Sequence, residues 1–162
     1  PDELIRTPMQ WSGKEGAGFT SGVPWEAINA DYNTLNVDAQ TGNPSSLLEH
    51  YRSLIQLRNA HPALQAGETY VAESNSSKLV SYLRANEEET VLVLINIDDA
   101  PVTDYELNLS TGPLSGNYNA ASLLDDSTIS PLQANDKGGF EAYIPLAEIS
   151  PYSVIVVQLT QN

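Results

Sequence analysis

The sequence has no cysteine, two histidines and only 7 basic residues against 21 acidic ones in 162. Without cysteine there is no disulfide framework, no thiol nucleophile and no thiolate zinc site. His50 and His61 carry no HExxH or other metal-ligand spacing around them, so neither a metal nor an organic cofactor is expected. A net charge of −14 repels phosphate backbones and anionic bilayers, which argues against nucleic acid and membrane as partners. Long apolar runs are missing too. The longest, Thr90-Val-Leu-Val-Leu-Ile95, is far too short to cross a bilayer. Residues 1–6 show neither a basic start nor an apolar stretch, so no signal peptide is visible. An uncharged ligand such as a sugar remains the partner that this composition favours.

Hydrophobic residues make up 41% of the chain, enough for a packed core. Their arrangement divides the chain near residue 66. Residues 1–44 hold both tryptophans and many turn formers, with no sustained period, and read as one long binding or active-site loop. Ser46-Leu-Leu-Glu49 has capping-box spacing, and Leu47, Leu48, Tyr51, Leu54 and Ile55 follow a helical period. His61-Pro62 should stop that helix, giving a span of about 46–60.

From residue 66 onward, short apolar runs alternate with turn clusters. Strands are expected at 69–73, 78–84, 90–97, 105–109, 129–133, 140–144 and 153–159. That spacing indicates a mainly β protein, an antiparallel β-sandwich, with Val91–Ile95 and Val154–Val157 central and covered on both faces. Residues 66–162 should fold by themselves, whereas a lone loop and one helix should need neighbours. The bare helix face would then be covered, with Leu54 and Ile55 buried against the sandwich or a second copy; self-association through Leu47, Tyr51, Leu54 and Ile55 is one expectation.

Five blocks carry a resemblance: Arg6-Thr-Pro-Met-Gln-Trp11, Ala17-Gly-Phe-Thr20, Pro24-Trp25, Asn36-Val37 and residues 46–58. Their order and spacing resemble the α-amylase family of glycoside hydrolases, in the branch of bacterial α-amylases, oligo-1,6-glucosidases, α-glucosidases and trehalose synthases. The likeness implies that residues 1–65 are the end of a (β/α)8 barrel, namely the loop after its eighth strand and the eighth helix. Residues 66–162 would be the C-terminal β-sandwich. It also implies a retaining mechanism on α-glucans such as starch or maltooligosaccharides, with two carboxylates about 5 Å apart. The family's Asn-His-Asp motif is absent here, as are its other catalytic motifs, so no catalytic residue is assigned and the chain alone is expected to be inactive. An extracellular location goes with this reading.

Substrate-binding candidates are Arg6, Gln10, Trp11 and Phe19, because aromatic faces and amide or guanidinium donors suit sugars. Each has a plainer alternative. The aromatics, with Trp25 and Tyr32, could pin the loop; Arg6 could pair with Asp2 or Glu3; Gln10 could cap loop backbone. Asp98-Asp99, Asp125-Asp126 and Glu87–Glu89 read as solvated hairpin tips rather than acid pairs. Asn29, Asp31 and Asp38 are better placed for an oxygen-ligand ion but lack EF-hand spacing. A stand-alone carbohydrate-binding or structural sandwich is the alternative function, and it would need an exposed row of the tyrosines between Tyr70 and Tyr152.

Overall fold

The computed structural model describes residues 5–162, so an Arg6 pairing with Asp2 or Glu3 lies outside the described residues. The described residues form two compact units, 5–56 and 57–162. The division falls before residue 66 because the last turn of the long helix packs with the second unit.

The second unit is built on eight strands: β1 (Glu68–Ser74), β2 (Leu79–Ala85), β3 (Thr90–Asn96), β4 (Leu107–Leu109), β5 (Asn117–Ser122), β6 (Leu132–Gln133), β7 (Phe140–Tyr143) and β8 (Val154–Gln161). All pairings are antiparallel, in the order β6-β5-β8-β3-β2-β1-β4-β7. Strand β1 joins two sheets: residues 68–72 pair with β2, and Glu73 and Ser74 pair with β4. As the apolar runs require, β3 and β8 are central neighbours.

Register explains the core. Leu83, Leu92 and Val157 lie opposite one another across β2, β3 and β8, and all three are fully buried. The alternate residues Tyr82, Val93 and Val156 form a matching row on the other face. The inner face meets Tyr105, Leu107, Phe140 and Ile149, so each residue of Val91–Leu94 is covered on whichever face it points. Asn96 is almost fully buried, yet its amide donates to the carbonyls of Ala100 and Ser150 at 2.9 and 3.0 Å. Its oxygen accepts from Asp98 N at 3.0 Å, so burial leaves no polar atom unpaired. At the 137–139 turn, a Cβ on Gly139 would sit 1.7 Å from Leu109 O; only glycine lets the chain pass β4 this closely.

Several sequence expectations need correction. The sequence does not mark strand β5, because Asn117-Tyr-Asn-Ala-Ala-Ser122 packs with one tyrosine and small alanines, which hide its period. The 129–133 strand shrinks to Leu132–Gln133, and the 105–109 strand to Leu107–Leu109.

In the first unit, residues 15–18 form a short 3-10 turn. Helix α1 (Val37–Gln40) is capped by Asn36, whose Oδ1 accepts from Ala39 N at 2.8 Å. Helix α2 (Leu47–Ala60) follows the expected span. Half of its capping box forms: Ser46 Oγ accepts from Glu49 N at 3.2 Å. Glu49 turns away to Gly42 N at 2.9 Å because Ser46 N already donates to Asn43 O. Pro62 ends α2 and, as the first residue of α3 (Pro62–Ala66), starts another helix, the role its missing N–H permits.

The expected burial of both Leu54 and Ile55 is not found within this chain. Leu54 is half-buried, but Ile55 is 57% exposed, beside Leu47 at 67% and Tyr51 at 60%. These last three are spaced by four on one stripe. Leu57, which belongs to the second unit, lies off this stripe and packs against the cluster of Val91, Val93 and Val156.

Candidate functional site

In residues 5–56 the buried positions are Pro8, Ser12, Ala17, Asn36 and Ser46, all small or polar. Hydrogen bonds, not an apolar core, hold this loop. Ala17 is its pivot. It is fully buried with φ +53°, a left-handed conformation that costs a non-glycine residue about 1–3 kcal/mol and persists only where its surroundings impose it. The surroundings do so: Ala17 O accepts from Trp11 N at 2.9 Å and Ser12 N at 3.0 Å. On the other side, Val37 N donates to Gln10 O and Asp38 N to Trp11 O, both at 3.0 Å. Residues 10–12 are thus tied between the 3-10 turn and the start of α1. Gly18 completes the fit, since a Cβ there would lie 2.7 Å from Ser12 Oγ and 3.3 Å from Trp11 Cβ.

The backbone under Trp11 is therefore fixed while its indole stays half exposed, at 50%. Phe19, 45% exposed, lines a groove of about 750 Å³ with Val23, Pro24 and Ile28. Trp25 projects further, and Tyr32 is half-buried. A rigid backbone presenting open aromatic faces is a surface on which a sugar ring can stack without ordering the loop first.

Gln10 is placed differently. Its amide donates to Leu35 O at 2.7 Å and Asp31 Oδ1 at 3.0 Å, and its oxygen accepts from Asn29 at 3.2 Å; Asn29 also reaches Thr7 Oγ1 at 3.1 Å. This Thr7–Asn29–Gln10–Asp31 chain knits the loop's two ends. Asn29 and Asp31, ion-ligand candidates in the sequence, are engaged by Gln10 here, and this long-range pairing has no local signature. Gln10 also lines a second groove of about 640 Å³ with Thr7, Met9, Leu35 and Leu47. Arg6 is exposed and lines neither groove. The four candidates lie on one loop but do not converge on one cavity.

Among the described residues, no group of three or more histidine or acidic side chains is gathered for a metal ion. The acid pairs in the second unit do local work. Asp98 is held below the usual carboxylate range by the backbone N–H of Ala100 first and by Lys78, 3.1 Å away, second. Asp125 is lowered by the Ser122 hydroxyl and then by Ser127. Glu89 departs from the expected hairpin tip: its side chain is 10% exposed and binds His61 and Ala63. The tyrosine row required of a stand-alone binding module is not there. Tyr105, Tyr118 and Tyr143 are buried, Tyr70 and Tyr82 are half-buried, and Tyr152 is the open one.

Comparison with known proteins agrees with the loop's motifs. Residues 1–67 match the model of the α-amylase catalytic domain. The oligo-1,6-glucosidase of Heyndrickxia coagulans is 36% identical over 113 residues, 70% of this chain and 20% of that protein. A probable α-glucosidase of Rhizobium meliloti is 36% identical over 74% of this chain and 22% of its own length. Among solved structures, a variant of the Bacillus licheniformis trehalose-6-phosphate hydrolase superposes with a TM-score of 0.68 at 29% identity. That match covers 97% of this chain and 26% of that one. The trehalulose synthase of Pseudomonas mesoacidophila gives 0.66 at 27% identity, over 96% and 25%. The chain spans about a fifth to a quarter of these relatives; what it shares with them is the end of the α-amylase catalytic domain, matched over residues 1–67, and a similar fold over nearly its whole length.

Proposed function

We propose that residues 5–56 form one wall of an α-glucan-binding cleft in a retaining glycosidase that cleaves or transfers α-glucosidic bonds. The carrying observation is the open indole of Trp11 on a backbone fixed from two sides, next to the Phe19 groove. Trp11 and Phe19 offer stacking faces to glucosyl rings, Arg6 offers donors to hydroxyls, and Gln10 sets the loop while edging the second groove. The names of the relatives support this substrate class. Catalysis needs a nucleophilic carboxylate and an acid/base carboxylate on either side of the bond, and no residue here is assigned either role. The second unit serves as a supporting sandwich. We place the protein outside the cell, and its recovery from culture medium rather than lysate would test that.

Both tryptophans lie in the loop unit, so their fluorescence reports it directly. Titration with maltotriose should quench the emission, and Trp11→Ala should remove most of the change. Quenching that survives this substitution would move the binding surface elsewhere. The chain itself should release no reducing sugar from starch; release above a buffer blank would place catalytic residues within it.

The stripe Leu47, Tyr51 and Ile55, with Leu54 at its margin, is the proposed contact for association between copies. A concentration-dependent sedimentation coefficient that Tyr51→Glu abolishes would support it; a concentration-independent monomer would end it.

A further inference from the structure

Where α2 passes into α3, the chain turns sharply and lies on the outer face of the sheet. Ala63 is fully buried, and with Leu57 and Leu64 it packs against Val91, Val93 and Val156. One side chain of the β2–β3 hairpin grips this corner. Glu89 Oε1 accepts from Ala63 N at 2.8 Å, satisfying an N–H that α3 leaves unpaired at its start, and Glu89 Oε2 lies 2.9 Å from His61 Nδ1. Both side chains are mostly buried, at 10% and 15% exposure. From β2, Arg84 Nε donates to Ala63 O at 3.1 Å while its guanidinium also reaches Thr69 Oγ1 at 2.8 Å. Arg58 of α2 donates to Leu64 O. The hairpin is shaped to aim Glu89 inward: Asn86 Oδ1 accepts from the N–H groups of Glu88 and Glu89 at 2.9 and 2.8 Å. Glu87 and Glu88 stay in solvent.

We propose that Glu89 is a latch: it locks the α2–α3 corner onto the sheet, and without its carboxylate the corner opens as a local unit while the sandwich stays folded. The packing separates the two. The corner touches only the outer face, through few apolar side chains, whereas Leu83, Leu92, Leu94 and Val157 belong to the inner core that the corner does not reach. Local opening requires this inequality of contacts. A single carboxylate accepts from the corner at two points, so its removal strands a buried N–H and leaves His61 without its partner together.

Amide hydrogen exchange of the full chain, followed by NMR, tests this. In Glu89→Ala, exchange at Ala63, Leu64 and Gly67 should accelerate by about tenfold or more, while Leu92, Leu94 and Val157 change by less than about twofold. Glu89→Gln, which keeps one acceptor, should fall between, and it is read by the same criteria if the alanine variant fails to fold. Acceleration shared equally by corner and inner strands would make Glu89 an ordinary global stabiliser and overturn the latch. An unchanged corner would overturn it as well.

Discussion

The two units are held by different physics. In residues 57–162, large apolar side chains disappear from solvent in rows set by strand register, and buried polar atoms such as the Asn96 amide are paired. In residues 5–56, Ile5, Met9, Trp11, Val23, Trp25 and Leu35 are exposed, while the Asn36 cap, the Gln10–Asn29–Asp31 hydrogen bonds and a strained alanine do the holding. A hydrogen-bonded loop can keep its aromatics available, whereas a sandwich must consume them to fold. Four aromatic rings, Tyr105, Tyr118, Phe140 and Tyr143, went into its core.

The comparison breaks first at the core. Phe140→Ala should remove about 3–5 kcal/mol, seen as a lower urea midpoint by circular dichroism, because the ring is fully buried and stacked edge-on against Tyr143. A loss below about 1 kcal/mol would mean that the sandwich does not depend on its interior.

Alkali should reach the same core. Burial above all, then the charge of Tyr105, pushes the Tyr143 hydroxyl well above its ordinary value. The fold thus favours the protonated phenol, which donates to Ser130 O at 2.7 Å. Its stabilisation is complete below about pH 10, the ordinary tyrosine range, and declines as pH rises beyond it. Thermal melts should fall above that pH, and Tyr143→Phe should flatten the decline. A profile identical in the two proteins would remove Tyr143 from the cause.

A loop change should stay in the loop. Asn36→Ala deletes the cap of α1 and the bond to Tyr32 O, costing about 1 kcal/mol locally. Limited proteolysis should then cut faster within residues 12–42, while the urea transition of the sandwich is unmoved.

The smallest effect is expected in acid. Asp98, lowered by Ala100 N and Lys78, and Glu49, lowered by Gly42 N and Arg52, are both half-buried carboxylates at the surface. Lowered values mean stabilisation that is full above the ordinary range near pH 4 and lost as pH falls through the folded values. Asp98→Asn should shallow the acid limb slightly and leave neutral-pH stability almost unchanged. A large loss at neutral pH would show that the turn at Ala100, not the charge, is the important part.

Local pattern was enough for helix α2, for the central strands β3 and β8, and for the turns between most strands. Each rests on a period or on breaker residues within a few positions. The family likeness was likewise written in contiguous blocks such as Arg6-Thr-Pro-Met-Gln-Trp11. Tertiary structure alone decided which carboxylate of Glu87–Glu89 turns inward, since that depends on an N–H offered by Ala63 far along the chain. It alone engaged Gln10 with Asn29 and Asp31, left the Leu47–Tyr51–Ile55 stripe bare, and gave β5 a place beside β8. Periodicity records which side of an element is apolar; what meets that side, and which polar atom finds a partner there, is set by residues distant in sequence that only the folded chain brings together.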